Sequence, residues 1–427
     1  MFNVRIIAYK AIFRILYKRE FSNVVLTQYT STKKDRNFFY RLVCGVVKMR
    51  INLDYILGNF VNKCGKKQRC FLYISLYQIL YMDSIPQYAA INETVNAAKT
   101  LYGANFAGFI NAVMRKVISQ KVNIKYPTKK KLYLSKKYSF PKKLVTTWLD
   151  YWNYLQVENL CKYFNEPPLL YLKINKYLVS VKELISYFTK KDIKVEVSEY
   201  SKDVLKTQDS RVITDDKFKN GSYYFQSLSN AILVEGIPTQ KENTVLDCFA
   251  APGGKSIGLA HKVEKVIAIE KYPSRAKILL ENTNRLKKQN IQIVVSDIFK
   301  YKKEEKFNIV LADVPCSGWG VIQRKSELRY QKFQNINQLI TLQKNALNYI
   351  KRFVKDGGFL VYSTCTFNKK ENEDIIKKFL QENKEFYVVE AINFFSPNFV
   401  DEKYFKTIPF IHKIDGLFAA ILRKINL

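Results

Sequence analysis

Apolar side chains recur every three to four positions through the first part of the chain. Val4, Ile7, Ala8, Ala11, Ile12 and Ile15 share one helical face, with Arg5, Lys10, Arg14 and Lys18 elsewhere. Phe39 to Val47 and Asn92 to Thr100 repeat that spacing, and Pro86 marks a break between helices. Residues 1–125 are therefore predicted to be all-α. A helical run through Trp148, Leu149 and Trp152 carries the pattern into a connector, 126–165. The period then changes. Strand-like Leu169 to Ile174 and Ile193 to Val197 flank helical Val181 to Phe188, which predicts a small α+β subdomain over 166–235. From 236 to 427, continuous apolar runs alternate with helix-length segments. The runs are Thr244 to Asp247, Val266 to Glu270, Ile291 to Val295, Ile309 to Asp313 and Phe359 to Tyr362. That alternation predicts an α/β, Rossmann-like domain with a mostly parallel, doubly wound sheet. Leu417 to Leu422 is expected to return as a hairpin against Phe386 to Val389.

Carboxylates close these runs: Asp247, Glu270, Asp313 and, two residues past Val295, Asp297. Ligands of open α/β sheets lie beyond the carboxyl ends of the strands, so the four acids are expected to share one crevice. Glu270, about 20 residues past the first strand, is placed to accept hydrogen bonds from ribose hydroxyls. The turn after the first strand reads Phe249-Ala250-Ala251-Pro252-Gly253-Gly254-Lys255-Ser256. It is not a phosphate-binding P-loop, because the required first glycine falls on Phe249. Its adjacent glycines also miss the dinucleotide fingerprint. A nucleoside cofactor without a pyrophosphate remains, and S-adenosyl-L-methionine is the expected one.

Two phrases each set a cysteine just past a strand-like run: Asp313-Val314-Pro315-Cys316-Ser317-Gly318 and Tyr362-Ser363-Thr364-Cys365-Thr366. Paired thiols beside a methyl-donor site suit covalent chemistry on a base. Cytosine C5 is a poor nucleophile, and a thiolate adding to C6 makes it enamine-like. The adduct must later lose the C5 proton, which calls for a base. Spacing does not say which thiol attacks.

The glycine turn, the two cysteine phrases and Glu371-Asn372-Glu373 together resemble the signature of RNA cytosine-5 methyltransferases. Within that group the chain is similar to bacterial small-subunit ribosomal RNA enzymes of the Sun (Fmu) type, which carry an N-terminal NusB-like domain. Asp35-Arg36, Ala89 to Val95, Gly108 to Arg115, Tyr138 to Pro141 and Phe164 to Pro168 extend the likeness over nearly the whole length. The resemblance implies a helical RNA-binding domain without chemistry and an RNA-recognition-like subdomain ahead of a class I methyltransferase domain. It implies Cys365 as nucleophile, Cys316 assisting release, Asp313 bonding the base near N3, and Lys255 near the active site, where a cation lowers a thiol pKa. The expected cofactor set is Phe249 to Lys255, Glu270 on the ribose, Asp297 on the adenine edge, Asp313 near the methionine end, and Arg275. Departures are Phe249 in place of the family's cysteine, Glu270 for aspartate, Ser326 for proline and Glu327 for aspartate.

Charge points the same way. Lys and Arg number 71 against 37 Asp and Glu, a formal +34, and such a field favours a polyanion. Part of the excess matches a bias toward AT-rich codons, since the chain is also rich in Asn, Ile and Tyr. Lys121 to Lys143 nevertheless holds nine lysines and no acid, interleaved with Tyr126, Tyr133, Tyr138 and Phe140. Basic and aromatic groups so mixed suit single-stranded RNA, and a solvated linker is the alternative. Seven scattered cysteines, no C-x-x-C pair and two histidines speak against zinc and for a reducing, cytoplasmic compartment. No apolar run approaches the roughly 18 residues of a membrane span. The expected partner is small-subunit (16S) ribosomal RNA, without membrane or metal and with a monomer as the expected state. Transfer RNA with the same chemistry is one alternative, and a non-catalytic RNA-binding assembly factor another.

Overall fold

In the computed structural model, which describes residues 3–29, 36–120, 124–330 and 333–425, the chain divides into two units. Lys121 of the basic stretch and Asp35 of the family-like phrase lie outside the described residues.

The first unit takes residues 1–166 together with 322–331. Its long helices run Arg36–Leu57, Lys66–Tyr81, Gln87–Tyr102 and Ala104–Ser119, after a first helix Val4–Phe13 that buries Val4, Ala8, Ala11 and Ile12. A Cβ on Gly45 would fall 2.0 Å from the Tyr77 ring, so glycine lets helices Arg36–Leu57 and Lys66–Tyr81 approach closely. The connector belongs to this same unit as helices Lys130–Tyr138, Lys142–Leu149 and Tyr154–Asn165. Trp152, expected to continue the helix of Trp148, lies past its end. Asn153 starts a new helix with a capping box, accepting from the Gln156 N–H while the Gln156 side chain accepts from the Asn153 N–H. Two of the interleaved aromatics are turned inward and offer no face for a base: Phe140 is fully buried against Trp148, and Tyr138 donates to Glu158 at 2.7 Å, while Tyr126 and Tyr133 are half-buried. Lys125, Lys129, Lys130, Lys131, Lys142 and Lys143 remain exposed.

The second unit takes residues 167–321 and 332–427. A small antiparallel sheet comes first, from β1 (Leu170–Ile174), β2 (Glu196–Val197), β3 (Val204–Thr207) and β4 (Tyr223–Phe225), in the order β2-β3-β1-β4. Helix Val181–Thr189 covers it, burying Leu184 and Phe188. Of the expected Ile193 to Val197 strand only two residues pair, both exposed at the sheet edge.

The large sheet comprises β5 (Thr244–Asp247), β6 (Lys265–Glu270), β7 (Ile291–Val295), β8 (Phe307–Asp313), β9 (Val354–Thr364), β10 (Phe386–Val389), β11 (Val400–Asp401), β12 (Tyr404–Thr407) and β13 (Leu417–Lys424). Its order is β11-β12-β13-β9-β8-β5-β6-β7. The neighbours from β7 to β9 pair in parallel, and β13 runs antiparallel to β9. Helices cover both faces, which is why β5, β6 and β8 read as unbroken apolar runs. The expected β10–β13 pairing is present, with Val388 opposite Leu422, but not as a simple hairpin: β12 pairs with the first half of β13 on that edge. The chain steps from β5 outward through β6 and β7, then returns to place β8 on the other side of β5. That reversal opens a crevice beyond the carboxyl ends of β5 and β8.

Candidate active site

β8 and β9 are parallel neighbours in register, Asp313 opposite Ser363, so the loops after them leave the sheet side by side. Cys316 and Cys365, both half-buried, meet there with Sγ atoms 3.1 Å apart and neither in a disulfide. The Cys365 N–H also donates to the Cys316 sulfur at 3.3 Å. The hydrogen bond with Cys365 and then burial push the Cys316 thiol well above its usual pKa, and the charge of Glu371 adds to this. Cys316 is thereby kept protonated, able to donate to its neighbour.

Asp313 stands between this pair and the glycine turn. Its Oδ2 accepts from Lys255 Nζ at 2.6 Å and its Oδ1 from Ser363 Oγ at 2.8 Å. Lys255, expected near a thiol, is thus committed to the carboxylate. Sequence reasoning did not single out Ser363; its signal was its place in the Tyr-Ser-Thr-Cys-Thr phrase, two residues before Cys365.

A buried brace holds the two loops. Glu371, fully buried, accepts from the Ser317 N–H at 2.8 Å, Gln343 Nε2 at 3.1 Å and Asn368 Nδ2 at 2.8 Å. Gln343 also donates to the Pro315 carbonyl at 2.9 Å, and Tyr362 Oη to that of Glu371 at 2.6 Å. Asn372 joins in, accepting from Thr364 Oγ1 and donating to the Thr366 carbonyl. Gly320 donates to the Cys365 carbonyl at 3.0 Å and packs on Gly416, whose carbonyl oxygen would lie 2.1 Å from a Cβ at 320. Gln343 was not legible in the sequence, being 28 residues from Glu371.

Comparison with known proteins decides what this assembly belongs to. Residues 236–423 match the family model described as 16S rRNA methyltransferase RsmB/F, and residues 3–119 match the NusB family. Probable ribosomal RNA small subunit methyltransferase B of Bacillus subtilis (strain 168) is 30% identical over 444 residues, covering 99% of each chain. The chain belongs to the RsmB/F methyltransferase family. A relative from Synechocystis sp. with the same printed name is 30% identical, covering 93% of each chain. Among solved structures, PH0851 superposes with a TM-score of 0.85 over 99% of both chains at 22% identity. NSun6 from Pyrococcus horikoshii, solved with SFG, gives a TM-score of 0.60 over 67% of this chain and 99% of that one, at 21% identity. These likenesses carry the fold: an N-terminal NusB domain and a class I methyltransferase domain.

The cofactor of RsmB/F methyltransferases is S-adenosylmethionine, and the crevice fits it. Gly253 has φ +107°, and a Cβ there would meet Leu279 Cδ1 at 2.4 Å, so the turn that starts helix Gly254–Ala260 requires glycine. Beyond it lie carboxylates suited to hydroxyl, amine and ammonium donors. Ala250 and Ala251 are buried, Phe249 is half-buried and Pro252 is exposed. Glu270, 3% exposed, accepts from the Tyr272 N–H at 2.9 Å and lies 3.5 Å from the Arg275 guanidinium. Arg275 also donates to the Ala251 carbonyl at 2.6 Å, tying β6 to the turn. Asp297 pairs with Lys271 at 2.9 Å; partial burial opposes its ionisation, but that ammonium and the Phe299 N–H hold its pKa below the usual value. Asp247, 1% exposed, is as enclosed as Glu270. It is buried beneath the turn, accepting from Ser256 Oγ at 2.6 Å and from the Phe249 N–H, and burial raises its pKa to about 6.

No helix among the described residues is long and apolar enough to cross a membrane, and no group of three or more His, Cys, Asp or Glu residues there is arranged to hold a metal ion.

Proposed function

We propose that the chain methylates C5 of a cytosine in small-subunit ribosomal RNA through a covalent bond between Cys365 and C6. The observation that carries this reading is the pair of thiols 3.1 Å apart, beside an aspartate bridged to the glycine turn by Lys255. The relatives' names supply the substrate class. Phe249 to Lys255, Glu270 and Asp297 would hold S-adenosylmethionine, which supplies an electrophilic methyl group when bound.

In this reading Cys365 attacks as thiolate, forming the S–C6 bond and pushing the 5,6 electron pair onto C5. Asp313, kept in place by Lys255 and Ser363, holds the base at its N3 edge. Cys316 donates its S–H toward the Cys365 sulfur, which favours the thiolate there. After methylation the C5 proton leaves to a base, either water or the Cys316 sulfur once its own proton has passed to solvent, and the C6–S bond breaks to return both the double bond and the Cys365 thiolate. The raised pKa of Cys316 suits a proton carrier and not the attacking group.

Covalent capture tests the reading. Ribosomal RNA from an unmethylated strain, with S-adenosylmethionine, is expected to form a gel-stable adduct with Cys316→Ala protein and none with Cys365→Ala. The reverse pattern would exchange the two roles. An adduct on transfer RNA alone would change the substrate, and no adduct on either RNA would leave a binding factor.

A further inference from the structure

At the opposite edge of the large sheet, by the amino ends of β5, β6 and β7, lies a cavity of about 410 Å³ that the chemistry above does not use. Its lining includes Tyr177, Lys241, His261, Lys287, Lys288 and Gln289. β6 alone separates it from the catalytic crevice by six residues, about 20 Å at ~3.3 Å per residue.

The site is assembled from separate segments. Tyr177, in the turn after β1, stacks on His261 with ring centroids 5.1 Å apart and planes within 8°. It is nevertheless 72% exposed, so much of its ring surface stays open. Lys288 Nζ sits 2.8 Å from His261 Nδ1 and 4.4 Å from the Tyr177 centroid. Burial, followed by the charges of Lys288, Lys173 and Lys176, pushes His261 down to about 4, so its ring is neutral and Nδ1 accepts from Lys288. Burial likewise pushes Lys288 down to about 8. Lys262 is otherwise engaged, donating to the carbonyls of Val234, Glu235 and Ile237. Lys241, Lys287 and Lys288 have no carboxylate within ion-pair reach among the described residues, whereas Lys173, Lys176, Lys191 and Lys206 of the small subdomain do. A half-buried cation without a counter-ion, beside an open aromatic ring, matches an anion that carries a flat group. An acidic peptide offers the charge and nothing to stack.

We propose that this cavity is a second contact for single-stranded RNA, with a phosphodiester among Lys241, Lys287 and Lys288 and a neighbouring base on Tyr177. It rests on the RNA substrate proposed above and adds a contact on the far side of the sheet from the reacting cytosine. Binding of a short fluorescein-labelled single-stranded RNA to the full chain, read by anisotropy, tests it. Tyr177→Ala is expected to weaken binding roughly five- to a hundredfold, the range for one lost base stack. Lys241→Gln with Lys287→Gln is expected to flatten the dependence of log affinity on log salt by about 0.7 per lysine. Lys378→Gln, an exposed lysine on helix Glu373–Glu382, controls for net charge and is expected to leave the Tyr177 effect intact.

Unchanged RNA affinity in Tyr177→Ala overturns the proposal. So does an equal loss of poly-glutamate binding, which would make the cavity a general acidic-polymer site. Displacement of the RNA by AMP or inorganic phosphate from the wild type but not from Tyr177→Ala would assign it to a small phosphate compound instead. In methyl-transfer assays, Tyr177→Ala is expected to raise KM for RNA at unchanged kcat. A wild type that binds RNA through Tyr177 and methylates none would sink the catalytic reading and leave this site standing.

Discussion

Asp247 shows how one buried carboxyl ties the turn to pH. Its folded pKa of about 6 lies above the unfolded value of about 3.9, so between these values the native state binds more protons than the unfolded one. Its stabilising contribution is therefore full below the unfolded value and is lost as pH rises through about 6, a change on the order of 3 kcal/mol. Asp247→Asn removes that dependence while leaving a side-chain oxygen for Ser256. The variant is expected to gain on the wild type in thermal midpoint as pH goes from 4 to 8. Parallel pH dependences of the two midpoints would contradict this. At this scale the sequence was informative about groups and silent about partners. The strand-end position of Asp247 grouped it with Glu270, Asp297 and Asp313, and only the structure places it beneath the turn against Ser256. Cys316 and Cys365 were legible as a pair through their shared position after strands, whereas the raised pKa of the Cys316 thiol could not be read without the contact itself.

Between elements, the close approach of Gly320 to Gly416 sets where the loop after β8 lies against the segment leading into β13. Gly320→Ala places a Cβ 2.1 Å from a backbone oxygen, which cannot swing away as a side chain can. The expected cost is about 1–3 kcal/mol in denaturant unfolding. Because Gly320 also bonds the Cys365 carbonyl, methyl transfer is expected to fall further than stability alone explains, by at least about tenfold. A variant of wild-type activity would show that the loops tolerate the shift. Strands differ in how well they could be read, for a physical reason. β5, β6 and β8 lie between covering helices, and their apolar runs give their bounds to within about two residues. β3, β4, β11 and β12 are two to four residues long and antiparallel, too short for alternation to rise above the background. β9 extends five residues upstream of its apolar run, through Lys355, Asp356 and two glycines.

For the molecule as a whole, the decisive segment is 322–331. It is flanked in sequence by β8 and helix Phe333–Ile350, yet it belongs to the helical unit. Arg329, 2% exposed, donates there to the carbonyls of Lys48 at 2.8 Å and Ser139 at 3.1 Å and lies over the Phe140 ring. Burial lowers its pKa to about 10, which leaves it charged. Gln323 donates to the Tyr163 carbonyl, Tyr330 to that of Val47, and Glu327 accepts from Ser22. Arg329→Ala strips two buried carbonyls of a charged donor and is expected to destabilise the helical unit by about 1.5–3 kcal/mol in chemical denaturation. A neutral effect would mean that water replaces the guanidinium there. The sequence placed boundaries near residues 125, 165 and 235, where the basic stretch begins and where the period of the apolar pattern changes. It could not show that a later stretch returns to the earlier unit, since such a contact leaves no periodic trace.

That return also sets an order on synthesis. The helices through Asn165 leave the ribosome first, but the carbonyls of Lys48, Ser139 and Tyr163 meet their donors only after residues 322–331 have been made. From Glu166 to Gln331 is 165 residues, roughly 10–30 s of translation at ~5–20 residues per second. For that interval the nascent helical unit is unfinished, and a holdase or a slow stretch of codons acting there would govern how much protein reaches the native state.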